Sequence, residues 1–117
     1  MKIEYLSFVE TRVFTTQIDK LASLSILFAL QDELLENPRL GDVIPNARGA
    51  RKGRIGSATK GKRGGFRYIY LYQEEYGVIY LLLFYGKNEQ DTLDPHQTKE
   101  LGQLAAQIRS NYARRAK

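Results

Sequence analysis

The run Phe66-Arg67-Tyr68-Ile69-Tyr70-Leu71-Tyr72, the polar link Gln73-Glu74-Glu75-Tyr76-Gly77 and the run Val78-Ile79-Tyr80-Leu81-Leu82-Leu83-Phe84-Tyr85 decide the fold. Both runs are dense in aromatic and branched side chains, which suit a pleated, half-buried surface, and so short a link joins them as a β-hairpin. Successive side chains of a strand point to opposite faces. Phe66, Tyr68, Tyr70 and Tyr72 therefore share one face, and Arg67, Ile69 and Leu71 the other. The second run is apolar without alternation, the pattern of a central strand buried on both faces.

Upstream of the hairpin, Ala50 to Ser57 reads as a short basic strand and Thr59 to Gly65 as a loop of glycine, lysine and arginine. Gly41, Pro45 and Gly49 punctuate the link before it. From Ser25 to Asn37, Leu27, Leu30 and Leu34 recur at helical spacing with Asp32, Glu33 and Glu36 outward. Asn37-Pro38 ends this helix, because the residue before proline is pushed out of helical geometry. An earlier helix starts near Thr15 with Ile18, Leu21 and Ala22 on one face, and Lys2 to Val9 reads as a first strand. Downstream, Asp94 caps a last helix, Pro95 suits its first position and Gln97 completes a capping box. Leu101, Leu104, Ala105, Ile108 and Tyr112 then form its stripe, with Arg109, Arg114, Arg115 and Lys117 toward its C-terminal end. The order is β-α-α-β-β-β-α without repeats. This predicts one α+β domain over residues 1–117, with helices packed on one face of a small, mostly antiparallel sheet.

At 117 residues, 43% hydrophobic and 26% charged, the chain has the makeup of a globular domain with one core. The absence of cysteine removes disulfides and thiolate metal ligation. The single histidine, His96, gives a His-based metal site or a Ser–His–Asp arrangement almost nothing to build on, and reads as a surface or capping residue. Neither metal nor cofactor is expected. The longest apolar stretch, Leu21 to Leu30, is interrupted by Ser23 and Ser25 and is far shorter than the roughly 20 residues of a membrane span. The start, Met1-Lys2-Ile3-Glu4-Tyr5, lacks a signal-peptide layout, so a soluble cytoplasmic protein is expected.

The net charge of +5 is less telling than its distribution. Between Val43 and Gln73 no residue is acidic, yet this span holds Arg48, Arg51, Lys52, Arg54, Lys60, Lys62, Arg63 and Arg67, eight of 18 basic side chains. The remainder carries ten basic against 13 acidic residues. Positive charge focused on one segment suits a polyanion.

Four motifs lie on these elements in order: Asn37-Pro38-Arg39-Leu40-Gly41-Asp42-Val43-Ile44, Arg51-Lys52-Gly53-Arg54-Ile55, Gly61-Lys62-Arg63-Gly64-Gly65-Phe66-Arg67-Tyr68-Ile69-Tyr70, and Tyr85-Gly86-Lys87-Asn88-Glu89. Together they resemble the RelE/ParE toxin superfamily, its HigB-type branch most closely, over nearly the whole chain and with most force from Asn37 to the last helix. The resemblance implies a RelE-like fold and the toxin of a type II toxin–antitoxin pair, held inactive by a cognate antitoxin protein. Toxins of the RelE and HigB kind are mRNA interferases, endoribonucleases that cut messenger RNA in the ribosomal A site. It further implies that DNA is met only through the antitoxin complex. ParE-type relatives share the fold but inhibit DNA gyrase, so the site must decide the function.

Metal-independent RNA cleavage uses the 2′-OH as nucleophile. It needs an acceptor for that proton, cations on the pentavalent phosphate and a proton for the departing 5′ oxygen. Lys52 and Arg54 alternate with Arg51, Gly53 and Ile55, which puts both on one sheet face. The resemblance makes these two basic positions catalytic and matches Arg67 to the arginine that holds the scissile phosphate, a task suited to a forked guanidinium. Arg54 is no general base, since guanidinium stays protonated in proteins. Lys52, Lys60 and Lys62 remain rivals for that role. Lys87 is preferred as general acid, because Asn88 stands where relatives often carry arginine. Tyr112 is only a loose counterpart of the family's late base-stacking tyrosine. Arg51, Lys60, Lys62, Arg63, Phe66 and Asn88 complete the expected RNA contacts, Phe66 by stacking on a base.

Each assignment has a plainer counterpart. Tyr68, Tyr70 and Tyr72 pack under helices, which turns Arg67 to the solvent or RNA-facing side. The 60–65 loop is also a flexible, solvated turn, and it lacks the Walker pattern of a nucleoside triphosphate site. Two other functional classes stand beside the nuclease: a non-catalytic, ParE-like inhibitor of a protein such as gyrase, and an inactive RNA-binding protein of phage type.

Overall fold

A computed structural model describes residues 6–57, 61–87 and 92–115, the side chains of residues 57, 61–64 and 112–115 excepted. The elements run β1 (Ser7–Glu10), α1 (Arg12–Leu21), α2 (Leu24–Glu36), β2 (Asp42–Val43), β3 (Arg51–Ser57), β4 (Gly61–Gln73), β5 (Val78–Gly86) and α3 (Pro95–Arg115). The expected hairpin is β4–β5, joined by a 3-10 turn at Glu74–Tyr76 and closed by Gly77 in the left-handed region, φ 64°. Five strands form one sheet in the order β1-β5-β4-β3-β2, antiparallel except for the β1–β5 pair. β5 is an interior strand, as its unbroken apolar run predicts.

Two details differ from the sequence reading. Residues 61–65, expected in a loop, begin β4, and Gly61 pairs with Ser57 across a short connection. The two-residue strand β2 adds a fifth strand, too short to show any periodicity.

The helices also lie on both faces of the sheet, where one face was expected. Phe14 and Ile18 of α1 and Leu30 and Leu34 of α2 pack with Tyr68, Tyr70, Ile79, Leu81 and Phe84. Leu101 and Ala105 of α3 pack with Ile69, Leu71, Leu82 and Tyr85 on the other side. The alternation along β4 requires this, since Ile69 and Leu71 are apolar and need their own cover. A bulge in β5 helps: Ile69 pairs with Leu83 and Tyr70 with Leu81, so Leu82 and Leu83 both join the α3 side.

Local chemistry explains the helix ends. Thr11 Oγ1 accepts from Phe14 N at 3.0 Å and donates to Leu82 O at 2.8 Å, capping α1 and tying it to β5. The capping box of α3 is present: Gln97 N donates to Asp94 Oδ1 at 2.8 Å and Asp94 N to Gln97 Oε1 at 3.0 Å. Asn37 caps the end of α2, and beyond it the Tyr70 hydroxyl fixes the turn by donating to Pro38 O at 2.8 Å and accepting from Gly41 N at 2.9 Å. Among the described residues, no helix is long and apolar enough to cross a membrane.

Candidate functional site

The cationic positions come together through the register of three strands. On β3, Gly53 and Ile55 face the α1–α2 core: a Cβ at Gly53 would overlap the Tyr68 ring, and Ile55 is buried there. The intervening Lys52 and Arg54 therefore point to the α3 side, as the alternation predicts. Lys52 pairs with Ile69, Arg54 pairs with Arg67, and Arg67 pairs with Tyr85 on β5. Arg54, Arg67 and Tyr85 thus form one row across the sheet. Like charges directly opposite weaken a strand pair, so an anion placed between Arg54 and Arg67 would be favoured there.

These residues differ in exposure. Arg54 is exposed and Lys52 half-buried, and both line a hollow of about 320 Å³ with Ile44, Pro45, Leu93 and Thr98. A shallower depression of about 250 Å³ continues from the same two residues toward Leu40 and Gly41. Arg67 lies opposite Tyr68 and Tyr70, as expected, but it is only 2% exposed rather than turned to solvent. Alternation assigns a face and does not say what covers it; on this face α3 and the strands' own side chains provide a core. Its guanidinium makes a long contact to Phe66 O at 3.4 Å.

Lys87 is exposed at the end of β5, where its N–H donates to Gly65 O at 3.2 Å, and this places it at the same end of the sheet as Arg67. Phe66 is on the other face: its half-buried ring lies 5.0 Å from the Phe84 ring, against the α1–α2 core. Arg51 also turns that way, and its guanidinium donates to Gly41 O at 2.9 Å and Arg39 O at 3.3 Å, bracing the turn after α2. Lys62 and Arg63 lie on the first part of β4. Lys60 and Asn88 fall outside the described residues. His96 is exposed on α3, 2.9 Å from Glu100, and does not line the hollow of Lys52 and Arg54.

Two residues at the site were not assigned from sequence. Asp42 sits directly across from Lys52 on β2 and lines the same hollow, an acid beside the cations. It lies within a quoted motif, but its pairing depends on the unforeseen β2. Tyr85 was read as part of an apolar strand and of a quoted motif but given no role, yet its register sets it next to Arg67.

No protein-family model matches the chain. Among solved structures, a double arginine-to-alanine mutant of the E. coli toxin RelE in the free state matches with a TM-score of 0.54 and 16% sequence identity, over 76% of this chain and 90% of that one. At that identity the likeness concerns the fold, and the fold is RelE-like.

Proposed function

We infer that the chain is an endoribonuclease toxin of the RelE kind, in the HigB-type branch, which cuts messenger RNA on the ribosome and is neutralised by a cognate antitoxin. The observation that carries this reading is the cationic row on the α3 side, with Arg54 directly across from Arg67 and Lys52 two residues along the same strand face. The RelE-like fold and the four ordered motifs support it.

In this reading Arg54 and Lys52 receive the phosphate in the open hollow. Arg67 strengthens the field from beneath, where a low dielectric makes its charge count for more. Direct contact between Arg67 and a phosphate oxygen requires the packing above it to shift, given its 2% exposure. The 2′ oxygen attacks phosphorus as its proton passes to the general base, a role for which Lys52, Lys60 and Lys62 are the rivals. The bond to the 5′ oxygen then breaks, and that oxygen takes a proton from Lys87. The products are a 2′,3′-cyclic phosphate and a free 5′-OH.

Primer extension on a defined message, with and without programmed ribosomes, tests this. Cuts at A-site codons that need ribosomes and vanish in Arg54→Ala are the expected result. Cuts on free RNA would keep the nuclease and remove the ribosome. No cuts in either condition, with gyrase–DNA cleavage complexes formed instead, would replace the reading with a ParE-like inhibitor.

A further inference from the structure

The segment between β2 and β3 has an unusual backbone. Asn46 has φ 66°, Arg48 φ 54° and Gly49 φ 98°, three left-handed residues within four positions. Asparagine tolerates this region, but an arginine there is uncommon and marks a conformation held by its surroundings. α3 does the holding. Arg109 donates to Arg48 O, and its guanidinium leaves no room for a side chain at Gly49. Gly102 of α3 lets the segment lie close: a Cβ there would sit 3.2 Å from Asn46 O and 3.5 Å from Arg48 Cγ. The stem of Arg48 is thus set against α3 rather than left to wander.

Beside it is a hollow of about 440 Å³ with Arg48 and Lys99 on its walls and no acidic residue among the described residues of its lining. Asp94, at the adjacent helix start, has a carboxylate oxygen engaged by Gln97 N. Pro45, Leu93 and Thr98 line both this hollow and the one that holds Lys52 and Arg54. The two hollows therefore adjoin as one groove, with Arg48 and Lys99 at one end, Lys52 and Arg54 beside Asp42 at the other, and a largely apolar middle.

We propose that this groove carries the RNA strand onward from the Lys52–Arg54 hollow, with Arg48 and Lys99 binding phosphates of nucleotides that flank the cut. The proposal rests on the nuclease reading above and adds a second phosphate-binding stretch to it. A single-stranded nucleic acid fits the alternation, since its phosphates meet the cationic ends while a base or ribose rests on Pro45 and Leu93.

The test uses the full chain and oligoadenylates methylated at every 2′ oxygen, which bind without being cut, of about 4 and about 12 nucleotides. Wild type should bind the longer oligomer at least tenfold more tightly and with a steeper salt dependence. In Arg48→Gln/Lys99→Gln the advantage of the longer oligomer should disappear, and its log–log salt slope should fall by about 1.4, two contacts at about 0.7 each. Lys99→Glu, at an exposed helix position that leaves the strained segment untouched, should on its own weaken the longer oligomer at least fivefold. Length dependence and slope unchanged in these variants, while wild type still binds RNA, would overturn this proposal alone. Failure of wild type to bind either oligomer would overturn this proposal and leave the nuclease reading to the primer-extension result. Competition by polyglutamate, with no effect from the longer oligomer, would assign the groove to an acidic peptide instead.

Discussion

At Arg67 charge and packing pull against each other, because a guanidinium 2% exposed is also part of a core. Arg67→Met keeps most of the volume and removes the charge. It should change stability by less than about 1.5 kcal/mol while cleavage falls, by at least about 100-fold where the packing shifts and Arg67 donates to the phosphate, and by less where it acts only from beneath. Exposed Arg54→Ala should reduce cleavage similarly with less than about 0.5 kcal/mol lost in urea unfolding. Two tyrosines one alternation apart make a second contrast. Among the described residues the buried Tyr68 hydroxyl has no hydrogen-bond partner, whereas Tyr70 binds both Pro38 and Gly41. Tyr68→Phe should therefore be neutral or stabilising by up to about 1 kcal/mol, and Tyr70→Phe should cost about 1–3 kcal/mol. Burial pushes the Tyr68 phenol up, with Glu33 and Tyr70 adding to it; burial also raises Tyr70, against the opposing Gly41 hydrogen bond and Arg51 charge. A folded pKa above the unfolded value of about 10 means the fold holds these protons. That stabilisation is complete below pH ~10 and is lost as pH rises further. Unfolding midpoints should therefore fall above about pH 10, and less steeply in Tyr68→Phe.

Between elements, the fit of β3 on β4 is set by Gly53 under the Tyr68 ring. Gly53→Ala should cost about 1–3 kcal/mol and also lower cleavage, since β3 carries Lys52 and Arg54 and must shift. The α3 capping box gives an independent check. Asp94→Ala and Gln97→Ala should each cost about 1 kcal/mol, and the double variant clearly less than their sum, because each residue's bond supports the other's. These elements were legible to different degrees. The hairpin, the turn at Asn37-Pro38 and the Asp94-Pro95 start are governed by neighbours in sequence, so local rules find them. Helices on one face were expected, although apolar Ile69 and Leu71 beside the aromatic stripe and the unbroken run in β5 carry the signal for cover on both. Gly61 to Gly65 misled because glycine and lysine have low strand preference, and only the cross-strand pairing with Ser57 draws that stretch into β4. The burial of Arg67 was not legible, because strand alternation assigns a side chain to a face and does not say what covers that face.

Across the molecule, the balance of charge differs between faces, with four acidic against two basic side chains on α1 and α2. Asp19, Asp32 and Glu36 are exposed on α1 and α2, while Lys52 and Arg54 open on the opposite, α3 side. The acid-free span holds all of β3 and β4, two strands in register, so residues spread along the sequence become neighbours across the sheet. A focused field attracts a polyanion through the charges that face it, whereas a diffuse one acts through net charge alone. Two substitutions separate these cases. Asp32→Asn raises the net charge of +5 by one and Arg54→Gln lowers it by one. With a focused field, Asp32→Asn leaves RNA affinity and its salt slope within experimental error of wild type. Arg54→Gln weakens binding and reduces the log–log slope by about 0.7, one phosphate contact. Titrations between about 50 and 200 mM salt span the range in which such contacts change affinity most visibly. Equal and opposite effects of the two substitutions would mean that net charge governs binding, and that the register of Arg54 with Arg67 confers no special affinity for phosphate.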